Sequence, residues 1–549
     1  PPSMVAIVQE SRDAVAARFV SHAAILISRL SARSERECRV ALMSSSMQSQ
    51  NAMSGSITAS NVPGGGLWGL GRAVRLECTS LNAVNADVTC GPRMTLMARW
   101  LADNVAYGQE SEVAWSSGGS RLFARLRRCE RRPDASEVST YTSVVVTGGL
   151  GGLGMRAAAL LVSAGAGRIW LGSRSGQVLR AGQHLEEQLL RIQRSVVIVC
   201  YDASSTADAT ALGQMAPTVG GILHAAGAAD AGLLNEVTTA GLQWMHASKA
   251  VGASHLRVVH AALPLAVRVL FSSVGSGLAN VGQSSYASAN ACLDAEAISQ
   301  RSLGRVSLSL QWPMVGGAGM GAAGFAVLSS RGLSMVGMAG IDLEQYATCL
   351  SVQLSMTHSV GVSTQMVHRA ALRELLSDLS DPTQPRFGEL FSMEAKEGEW
   401  TSQASAAGVA GPFDTLAHAE LVVLRVVREL SIIGELSELD VETPLMQAGI
   451  DSLATTELSS RLRALAGVAL SPTLVFEHPT PRSVAAYLIN QLAGSGAPVA
   501  AASPDASKAG VTSSELAVSA TGGRWPGGCD RAEDRSQLQH ACGDAVGSV

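Results

Sequence analysis

A single lysine is the first candidate for chemistry in this sequence. Lys249 is the only lysine between residues 1 and 395, in a chain with three lysines and 38 arginines. Arginine is a poor substitute where a compact ammonium with a tunable proton is needed, because its guanidinium stays charged and forked. Tyr286 and Asn290 follow in Tyr-x-x-x-Asn spacing, and Ser273 lies just upstream of them. This grouping indicates chemistry at Lys249, and the alternative is the chance survival of one lysine.

A glycine-rich turn in the same region has the sequence context of a nucleotide-binding site. A β-branched run at 143–146 meets the sequence TGGLGGLG at 147–154, and an Ala/Leu-rich helix is predicted over 155–162. The spacing G-x-G-x-x-G lets the backbone approach a pyrophosphate at a helix N-terminus, whereas a tight turn without a ligand is the alternative. The predicted cofactor-binding residues of this turn are Gly149, Leu150, Gly151, Gly152, Leu153 and Gly154.

The ends of the next two strands suit a phosphorylated dinucleotide. A strand predicted at 168–171 ends in Ser173 and Arg174. An acidic residue there would hold a ribose 2′-hydroxyl, whereas arginine and serine suit a 2′-phosphate. The sequence therefore predicts NADPH, and a surface arginine at a strand end is the alternative. Asp202 follows a strand predicted at 196–200 and is placed to cap the adenine amine.

Repeated strand–helix units predict the fold class. A strand at 222–224 leads into small residues that would let a cofactor lie close, namely Ala225, Ala226 and Gly227. Further strands are predicted at 267–271 and 306–310. Units of this kind build an α/β fold of Rossmann type, with a doubly wound, mostly parallel sheet and ligands at the strand C-termini.

Composition bounds the classes of function. The 549 residues predict three to four domains, and 47% hydrophobic with 16% charged residues indicates ample core. A net charge of −4 argues against nucleic acid as a partner. Nine scattered cysteines fit a reducing compartment with no metal site. We found no signal peptide and no apolar run of bilayer length, so a cytoplasmic protein is expected.

Composition shifts divide the chain into six segments. The first two alternate helix and strand patterns, the third and fifth read as linkers, the fourth reads as a small helical domain, and the last resumes an ordered pattern. Because the chain opens on Pro1-Pro2, we expect it to be a piece of something larger. The segments are 1–138, 139–392, 393–412, 413–493, 494–513 and 514–549.

The second segment resembles a known family of reductases. Most short-chain dehydrogenases use Tyr-x-x-x-Lys, but the ketoreductases of modular polyketide synthases and animal-type fatty acid synthases have Asn in that place and the Lys upstream. Here Lys249 lies 37 residues before Tyr286. The motifs that carry the resemblance are TGGLGGLG (147–154), GSRSG (172–176), HAAG (224–227), KAVGA (249–253), FSS (271–273) and YASAN (286–290).

The resemblance implies a role for each catalytic candidate. Tyr286 would donate a proton to a carbonyl oxygen as hydride arrives from NADPH, and the Lys249 ammonium would lower the pKa of that phenol and bond the nicotinamide ribose. Ser273 would hydrogen-bond the substrate oxygen, although it could simply cap a strand end. Asn290 would anchor backbone or a proton-relay water, although it could be an ordinary polar residue of a helix.

Two departures from the family leave the configuration of the product alcohol unassigned. One stereochemical class carries Leu-Asp-Asp where this chain has Ala229-Asp230-Ala231, and the other carries Trp where this chain has Leu278. Residues 316–324 are Gly/Ala-rich, and both a substrate lid and a surface loop remain open for them.

Residues 1–138 resemble the structural, cofactor-free half that precedes such ketoreductases. The matching phrase is GLWGLGR at 66–72, followed by Leu76 and Glu77, and closing strands are expected near 112–115 and 122–126. With no glycine-rich turn after a strand, this half is expected to brace the catalytic half without binding nucleotide.

The fourth segment resembles an acyl carrier domain. The run LMQAGIDSL at 445–453 matches the signature G-[LI]-D-S-L, and LVFEHPTP at 474–481 closes the domain as carriers do. Ser452 would open a helix over 454–465, and a helix N-terminus favours an attached phosphate. The resemblance implies 4′-phosphopantetheine on Ser452, and an Asp451-Ser452 N-cap pair is the alternative.

The whole pattern predicts a fragment of a modular polyketide synthase that reduces a carrier-bound β-ketoacyl thioester with NADPH. Residues 514–549 resemble the opening of a β-ketoacyl synthase domain. Implied partners are the acyl thioester, synthase and acyltransferase domains, a phosphopantetheinyl transferase, and a second copy in a homodimer through the synthase domain. The rival hypotheses are a non-catalytic ketoreductase-like scaffold with a carrier, and the same activities in a fatty acid synthase-like parent.

Overall fold

The structure is a computed structural model, in which two β-sheets and one helical unit are built from separate stretches of the chain. The residues that it describes are 3–8, 20, 23–24, 27, 38–45, 62–78, 81, 83–88, 110–115, 121–126, 141–178, 182–228, 232–261, 263, 265–322, 340–356, 364–367, 384–390, 415–430, 440–450, 452–466, 468, 470, 474–494 and 517–519.

The first sheet is built mainly from the N-terminal segment. Its elements are β1 (Ser3–Val8), β2 (Cys38–Ser45), α1 (Val62–Glu77), β3 (Ala83–Val88), β4 (Glu112–Trp115) and β5 (Arg121–Arg125). Strands β1 to β4 pair in parallel, and β5 returns antiparallel to β4. Val40 and Leu42 of β2 pack against Leu67 and Leu70 of α1, so α1 covers one face of this sheet.

The second sheet carries the nucleotide-type motifs. Its elements are β6 (Ser143–Thr147), α2 (Gly152–Ser163), β7 (Arg168–Ser173), α3 (Leu185–Ile192), β8 (Val196–Cys200), α4 (Thr206–Met215), β9 (Gly221–His224), α5 (Thr239–His246), a π-helical turn (Ala247–Val251), α6 (Gly252–Val259), β10 (Val267–Ser273), α7 (Val274–Gly277), α8 (Ser284–Ser302), β11 (Leu308–Trp312), α9 (Leu343–Met356) and β12 (Thr364–Met366).

All seven strands of the second sheet are parallel, in the order β12-β11-β10-β9-β6-β7-β8. Successive strands are added on one side of β6 up to β8 and on its other side from β9 onward, and this switch in strand order opens a crevice at the C-terminal ends of β6 and β9. Strand β6 is buried at every residue, as a central parallel strand must be. The predicted doubly wound Rossmann-type sheet is therefore confirmed, although β11 lies two residues later than the predicted 306–310.

Glycines let helix α1 of the first half lie directly on helix α8 of the second. A Cβ on Gly65 would lie 2.5 Å from the carbonyl oxygen of Ala291, and a Cβ on Gly69 would overlap the carbonyl oxygen of Ala287. Only a residue without a side chain permits this approach, so the glycine-rich sequence of α1 fixes how the two halves meet.

A buried ionic cluster joins the two sheets at a second point. Glu112 of β4 binds Arg72 and Arg75 of α1 and, at 3.4 Å, Arg386 from the end of the second segment. Burial would raise the pKa of the Glu112 carboxyl, but the three guanidinium groups hold it well below its usual range. Arg72 donates to the carbonyl of Ser276 at 2.7 Å, and Arg386 donates to the next carbonyl at 2.8 Å, so the cluster reaches helix α7.

The fourth segment forms a helical unit with its own core. Its helices are α10 (Leu416–Leu430), α11 (Ser452–Ala466), α12 (Leu474–Glu477) and α13 (Pro481–Gly494). Val423, Leu445, Leu458 and Leu488 are among the side chains buried at its centre, and Met314 of the second segment also contacts this core.

The last strand that the structure describes comes from the segment 514–549. Strand β13 (Ala517–Ser519) pairs in parallel with β5, which the sequence did not predict; the rest of 514–549 lies outside the described residues. Among the helices that the structure describes, none combines the length and the apolar character that a membrane crossing requires.

Candidate active site

The structure brings the lone lysine and the phenol together. Lys249 lies in the π-helical turn, is buried, and donates from Nζ to the carbonyl oxygen of Phe271 at 3.0 Å. Its Nζ is 5.6 Å from the centre of the Tyr286 ring, which projects from the first turn of α8. Residues 37 positions apart thus place an amine beside a phenol at the C-terminal edge of the sheet.

Ser273 lies at the end of β10, where the strand gives way to α7. Its hydroxyl accepts a hydrogen bond from the N–H of Gly275 at 3.2 Å, so Ser273 does cap the short helix. Burial raises the pKa of the Tyr286 phenol, while the side chains of Ser273 and Asn290 act in the opposite direction. The cap leaves Ser273 beside the phenol, so capping and a catalytic role are compatible.

Asn290 lies one helical turn after Tyr286 on α8. Its Nδ2 donates to the carbonyl oxygen of Tyr286 at 2.8 Å, so it anchors backbone. Its buried Oδ1 has no hydrogen-bond partner among the described residues. A buried acceptor of this kind is a site for an ordered water.

Burial and a nearby carboxyl group act in opposite directions on the pKa of Lys249. Burial lowers the pKa of Lys249 to about 8, and the attraction of Asp294 acts against that shift. Asp294 is itself buried on α8 and accepts from three neutral donors, Ser276 at 2.6 Å, Ser309 at 2.6 Å and Gln311 at 2.8 Å. Because Ser276 belongs to α7, one carboxyl group links the turn after Ser273 to the charge of Lys249.

His224 holds the π-helical turn in place. Its Nε2 lies 3.0 Å from the carbonyl oxygen of Lys249, and its Nδ1 lies 2.7 Å from the hydroxyl of Thr147. Since a carbonyl only accepts, Nε2 carries the hydrogen and Nδ1 accepts from threonine. Burial lowers the pKa of His224 to about 3, so the ring is neutral. Single π-helical turns are frequent at functional sites, and here the turn aims Lys249 at β10.

The glycine-rich turn forms a cradle at the start of α2. Gly148 has φ +67°, and a Cβ there would lie 2.7 Å from the amide nitrogen of Ala226. No described side chain caps α2, and its first turn carries no acidic residue. The free N–H groups of a helix start, with no competing carboxylate, fit a dinucleotide pyrophosphate. Gly227 lies close to Lys249, since a Cβ on it would be 3.0 Å from Nζ.

The residues expected to bind the rest of the nucleotide lie at the ends of β7 and β8. Ser173 is half-buried and Arg174 is exposed. Asp202 accepts from the backbone N–H of Ser204 at 2.9 Å and from its hydroxyl at 2.8 Å. These bonds, and more weakly the charge of Arg174, lower the pKa of Asp202. An exposed guanidinium and a half-buried hydroxyl at this edge fit a ribose phosphate.

The described part of the Gly/Ala-rich loop, residues 316–322, packs against this cradle. Gln183 pairs with both backbone groups of Gly319, at 3.2 Å and 3.0 Å, and Gly319 lies directly against Gly152. The loop therefore borders the nucleotide end of the crevice. Residues 323–324 lie outside the described residues, as do Ala229, Asp230 and Ala231.

In the helical unit, helix α11 begins at Ser452. The preceding loop is anchored by the N–H of Leu445, which donates to the carbonyl oxygen of Pro479 at 2.8 Å, and Gly449 turns the chain with φ +80°. Ile450 is buried just before the helix. The backbone thus presents Ser452 at a helix start; Asp451 and the Ser452 side chain lie outside the described residues.

Sequence reasoning missed two of these residues. His224 stands in the quoted motif HAAG, but its contact with the carbonyl of Lys249 could not be read from spacing. Asp294 lies eight residues after Tyr286, on the buried face of the same helix, and only its three donors reveal it. An acidic residue among the small and apolar residues that follow Tyr286 was the available signal.

Two known families match stretches of this chain. The KR domain family matches residues 142–317, and the phosphopantetheine attachment site family matches residues 422–488. Polyketide synthase GfsB of Streptomyces halstedii is 30% identical over 508 residues, which are 88% of this chain and 9% of that protein. Spectinabilin polyketide synthase system protein NorB of Streptomyces orinoci is 33% identical over 372 residues, 65% of this chain and 17% of that protein.

Solved structures share the fold. An A-type ketoreductase from a modular polyketide synthase superposes with a TM-score of 0.57 at 24% identity, covering 69% of this chain and 79% of that one. The first ketoreductase of the tylosin polyketide synthase gives 0.56 at 24% identity, covering 71% and 83%.

The fold, the site and the two matched families define a ketoreductase-type oxidoreductase domain followed by a phosphopantetheine-binding carrier domain. Over these two domains the chain is similar to modular polyketide synthases. It spans less than a tenth of the length of the first relatives it matches.

Proposed function

We propose that the second segment reduces the ketone of a β-ketoacyl thioester to the β-hydroxyacyl thioester, with NADPH as the reductant. The observation that carries this proposal is the placement of Lys249 Nζ 5.6 Å from the centre of the Tyr286 ring, at the strand edge next to the glycine cradle. The residues 149–154, Ser173, Arg174, Asp202 and 225–227 would hold the cofactor. NADPH supplies a hydride to the carbonyl carbon when it is bound.

The side chains of this protein supply the proton. Tyr286 donates its phenolic proton to the carbonyl oxygen, and the phenolate that forms is stabilised by the ammonium of Lys249. Ser273 donates a hydrogen bond to the same oxygen and stabilises its developing charge. Asn290 holds a water at its unpaired Oδ1, through which the phenolate regains a proton from solvent.

The reductase proposal is tested by removing one hydroxyl. Tyr286→Phe in the full chain should abolish NADPH oxidation with a small β-ketoacyl thioester while leaving the Kd for NADPH unchanged, because the ring still fills its place. Tyr201→Phe is the matched control, since it removes another buried phenol that has no hydrogen-bond partner among the described residues. Turnover by Tyr286→Phe at the wild-type rate would contradict the proposal and favour the scaffold hypothesis.

We further propose that Ser452 carries 4′-phosphopantetheine, whose thiol holds the acyl chain for the reductase. Support comes from the helix start at Ser452 and from the matched carrier family. Tethering raises the effective concentration of a substrate at a nearby site. The carrier also implies a phosphopantetheinyl transferase and the synthase and acyltransferase domains of the parent protein as partners.

Mass spectrometry tests the carrier proposal. Incubation with coenzyme A and a phosphopantetheinyl transferase should add one phosphopantetheine group to the wild-type chain and none to Ser452→Ala. Ser459→Ala, on the same helix, is the control and should be modified fully. An unmodified wild type, or a modified Ser452→Ala, would contradict the assignment.

A further inference from the structure

One carboxylate of the cofactor-free half holds two backbone segments of the reductase. Glu77 is the last residue of α1. Its Oε2 accepts from the N–H of Leu234 at 2.6 Å, and its Oε1 accepts from the N–H of Gly282 at 3.0 Å. The two segments also meet each other, since the N–H of Gly232 donates to the carbonyl oxygen of Gly282 at 2.8 Å. Glu77 therefore closes a three-way joint between the halves of the protein.

Both segments border the proposed catalytic residues. The segment 278–283 runs from α7, which follows Ser273, into helix α8, and Gly282 is four residues before Tyr286. It bends back on itself, with φ +69° at Ala279 and +72° at Gly282. The segment 232–236 leads through α5 into the turn that carries Lys249. Because both segments are bonded to the carboxylate of Glu77, this one side chain fixes the backbone that leads to Tyr286 and to Lys249.

The close contact of α1 with α8 makes this joint rigid relative to Tyr286. A Cβ on Gly69 would overlap the carbonyl oxygen of Ala287, the residue next to Tyr286. Glu77 lies two turns further along α1, so its position relative to the phenol is set by helix packing. Burial raises the pKa of Glu77 to about 7, while the hydrogen bonds from the N–H groups of Leu234 and Gly282 act in the opposite direction.

We propose that Glu77 is a positioning residue of the reductase, whose two oxygens hold the segments 232–236 and 278–283 in the arrangement that presents the β-keto chain to Tyr286 in one orientation. The inference rests on the proposed ketone reduction. It assigns a part in substrate orientation to the half of the protein that lacks the glycine-rich turn after a strand. Glutamine at this position has one acceptor oxygen, and its amide N–H₂ would face the second backbone N–H, so one segment would be released.

The test compares Glu77→Gln with wild type in the full chain, using a β-ketoacyl thioester and NADPH. We expect kcat/KM for the thioester to fall about tenfold or more, because small displacements near a reacting group are costly. The product should change from one hydroxyl epimer to a mixture. The Kd for NADPH should stay within about twofold, since the glycine cradle is untouched. Glu110→Gln, which removes a carboxylate bound to Arg125 elsewhere in the same half, should match wild type.

Hydrogen exchange locates the effect. In Glu77→Gln, amide exchange should speed up in 232–236 and 278–283 and stay unchanged in the cradle at 148–154. Unchanged kcat/KM and epimer ratio would overturn the proposal. So would a loss of NADPH binding together with a lower Tm, because that outcome assigns Glu77 to folding alone. Wild-type protein that binds NADPH and reduces no β-ketoacyl thioester would instead contradict the reductase assignment, and the positioning role with it.

Discussion

At the scale of single residues, Lys249 carries the positive charge that the proposed chemistry needs, but it does so in a buried position, where a charge is unfavourable. Lys249 is almost completely buried, and its ammonium donates a hydrogen bond to a neutral carbonyl, that of Phe271. Burial lowers its pKa from 10.5 to about 8. The charge of Asp294 partly compensates, but Asp294 is shared with three neutral donors. The protein therefore keeps this amine charged near neutral pH at a cost in stability.

Activity and stability should respond to pH in opposite directions because of this residue. The folded protein releases the Lys249 proton at about pH 8, whereas the unfolded chain holds it to 10.5. Between those values the unfolded state binds more protons, so the free energy of unfolding rises with pH. Proton donation by Tyr286 needs the ammonium beside it, so the rate of reduction should fall over the same range.

We predict that Lys249→Met removes both effects. Reduction at neutral pH should fall about 100-fold or more, as for loss of a group that assists acid catalysis. Wild type should gain about 2 kcal/mol of unfolding free energy between about pH 7.5 and about pH 9.5, and the variant should lack that gain. Denaturant unfolding of both proteins at the two pH values measures this.

Lys249→Arg separates charge from shape. A Cβ on Gly227 would lie only 3.0 Å from Nζ, so the site has no room for a guanidinium. We expect the arginine variant to be inactive as well. A methionine variant with wild-type turnover, or one that still gains stability with rising pH, would contradict the role given to Lys249.

At the scale of elements, the sequence predicted the strands and helices that local patterns of residue types mark. The strand–turn–helix at 143–163 and the strands at 168–173 and 196–200 were predicted within three residues, because β-branched runs and glycines mark them directly. The pairing of Lys249 with Tyr286 came from a family resemblance. The π-helical turn that aims the lysine was not predicted, because it depends on a contact between His224 and a backbone carbonyl.

The contact of α1 with α8 was also not predicted from the sequence. The phrase GLWGLGR indicated a structural half, but its glycines could have marked turns rather than a helix packed on another helix. Packing partners far apart in the chain leave no periodic signal in either segment. The same limit explains Glu77, whose two donors lie 157 and 205 residues away.

We predict that Gly69→Val separates the two helices. The added side chain would overlap the carbonyl oxygen of Ala287, so α1 must shift away from α8. Overpacking of this kind costs about 1–3 kcal/mol or more, and reduction should fall because Tyr286 is the adjacent residue. Chemical denaturation and NADPH oxidation measure the two effects. Gly388→Ala is the control, since a Cβ there meets nothing within 4 Å. A stable, active Gly69→Val would show that the helices are not locked.

At the scale of the whole molecule, the described residues join the two sheets at two places, whereas the carrier has a core of its own. The cluster around Glu112 and the contact of α1 with α8 cross between the sheets. Among the described residues, the carrier buries its apolar side chains mainly among themselves, and Met314 of the second segment also contacts them. This difference fits the proposed function, because a tethering domain must deliver its acyl chain without sharing the rigid core of the enzyme.

We predict that damage to the carrier core leaves the reductase intact. Leu458 is fully buried on α11. Leu458→Ala should destabilise the carrier by about 2–5 kcal/mol, because it removes buried methyl groups and leaves a cavity. Phosphopantetheine transfer to Ser452 should then fail or slow strongly, while reduction of a free β-ketoacyl thioester continues at the wild-type rate. Mass spectrometry and NADPH oxidation on the same protein separate the two effects.

The matched variant Leu310→Ala, in the core of the second sheet, should show the reverse pattern. If Leu458→Ala also abolished reduction of the free thioester, the carrier and the reductase would have to fold as one body, and delivery by a separately folded tether would be ruled out for this chain.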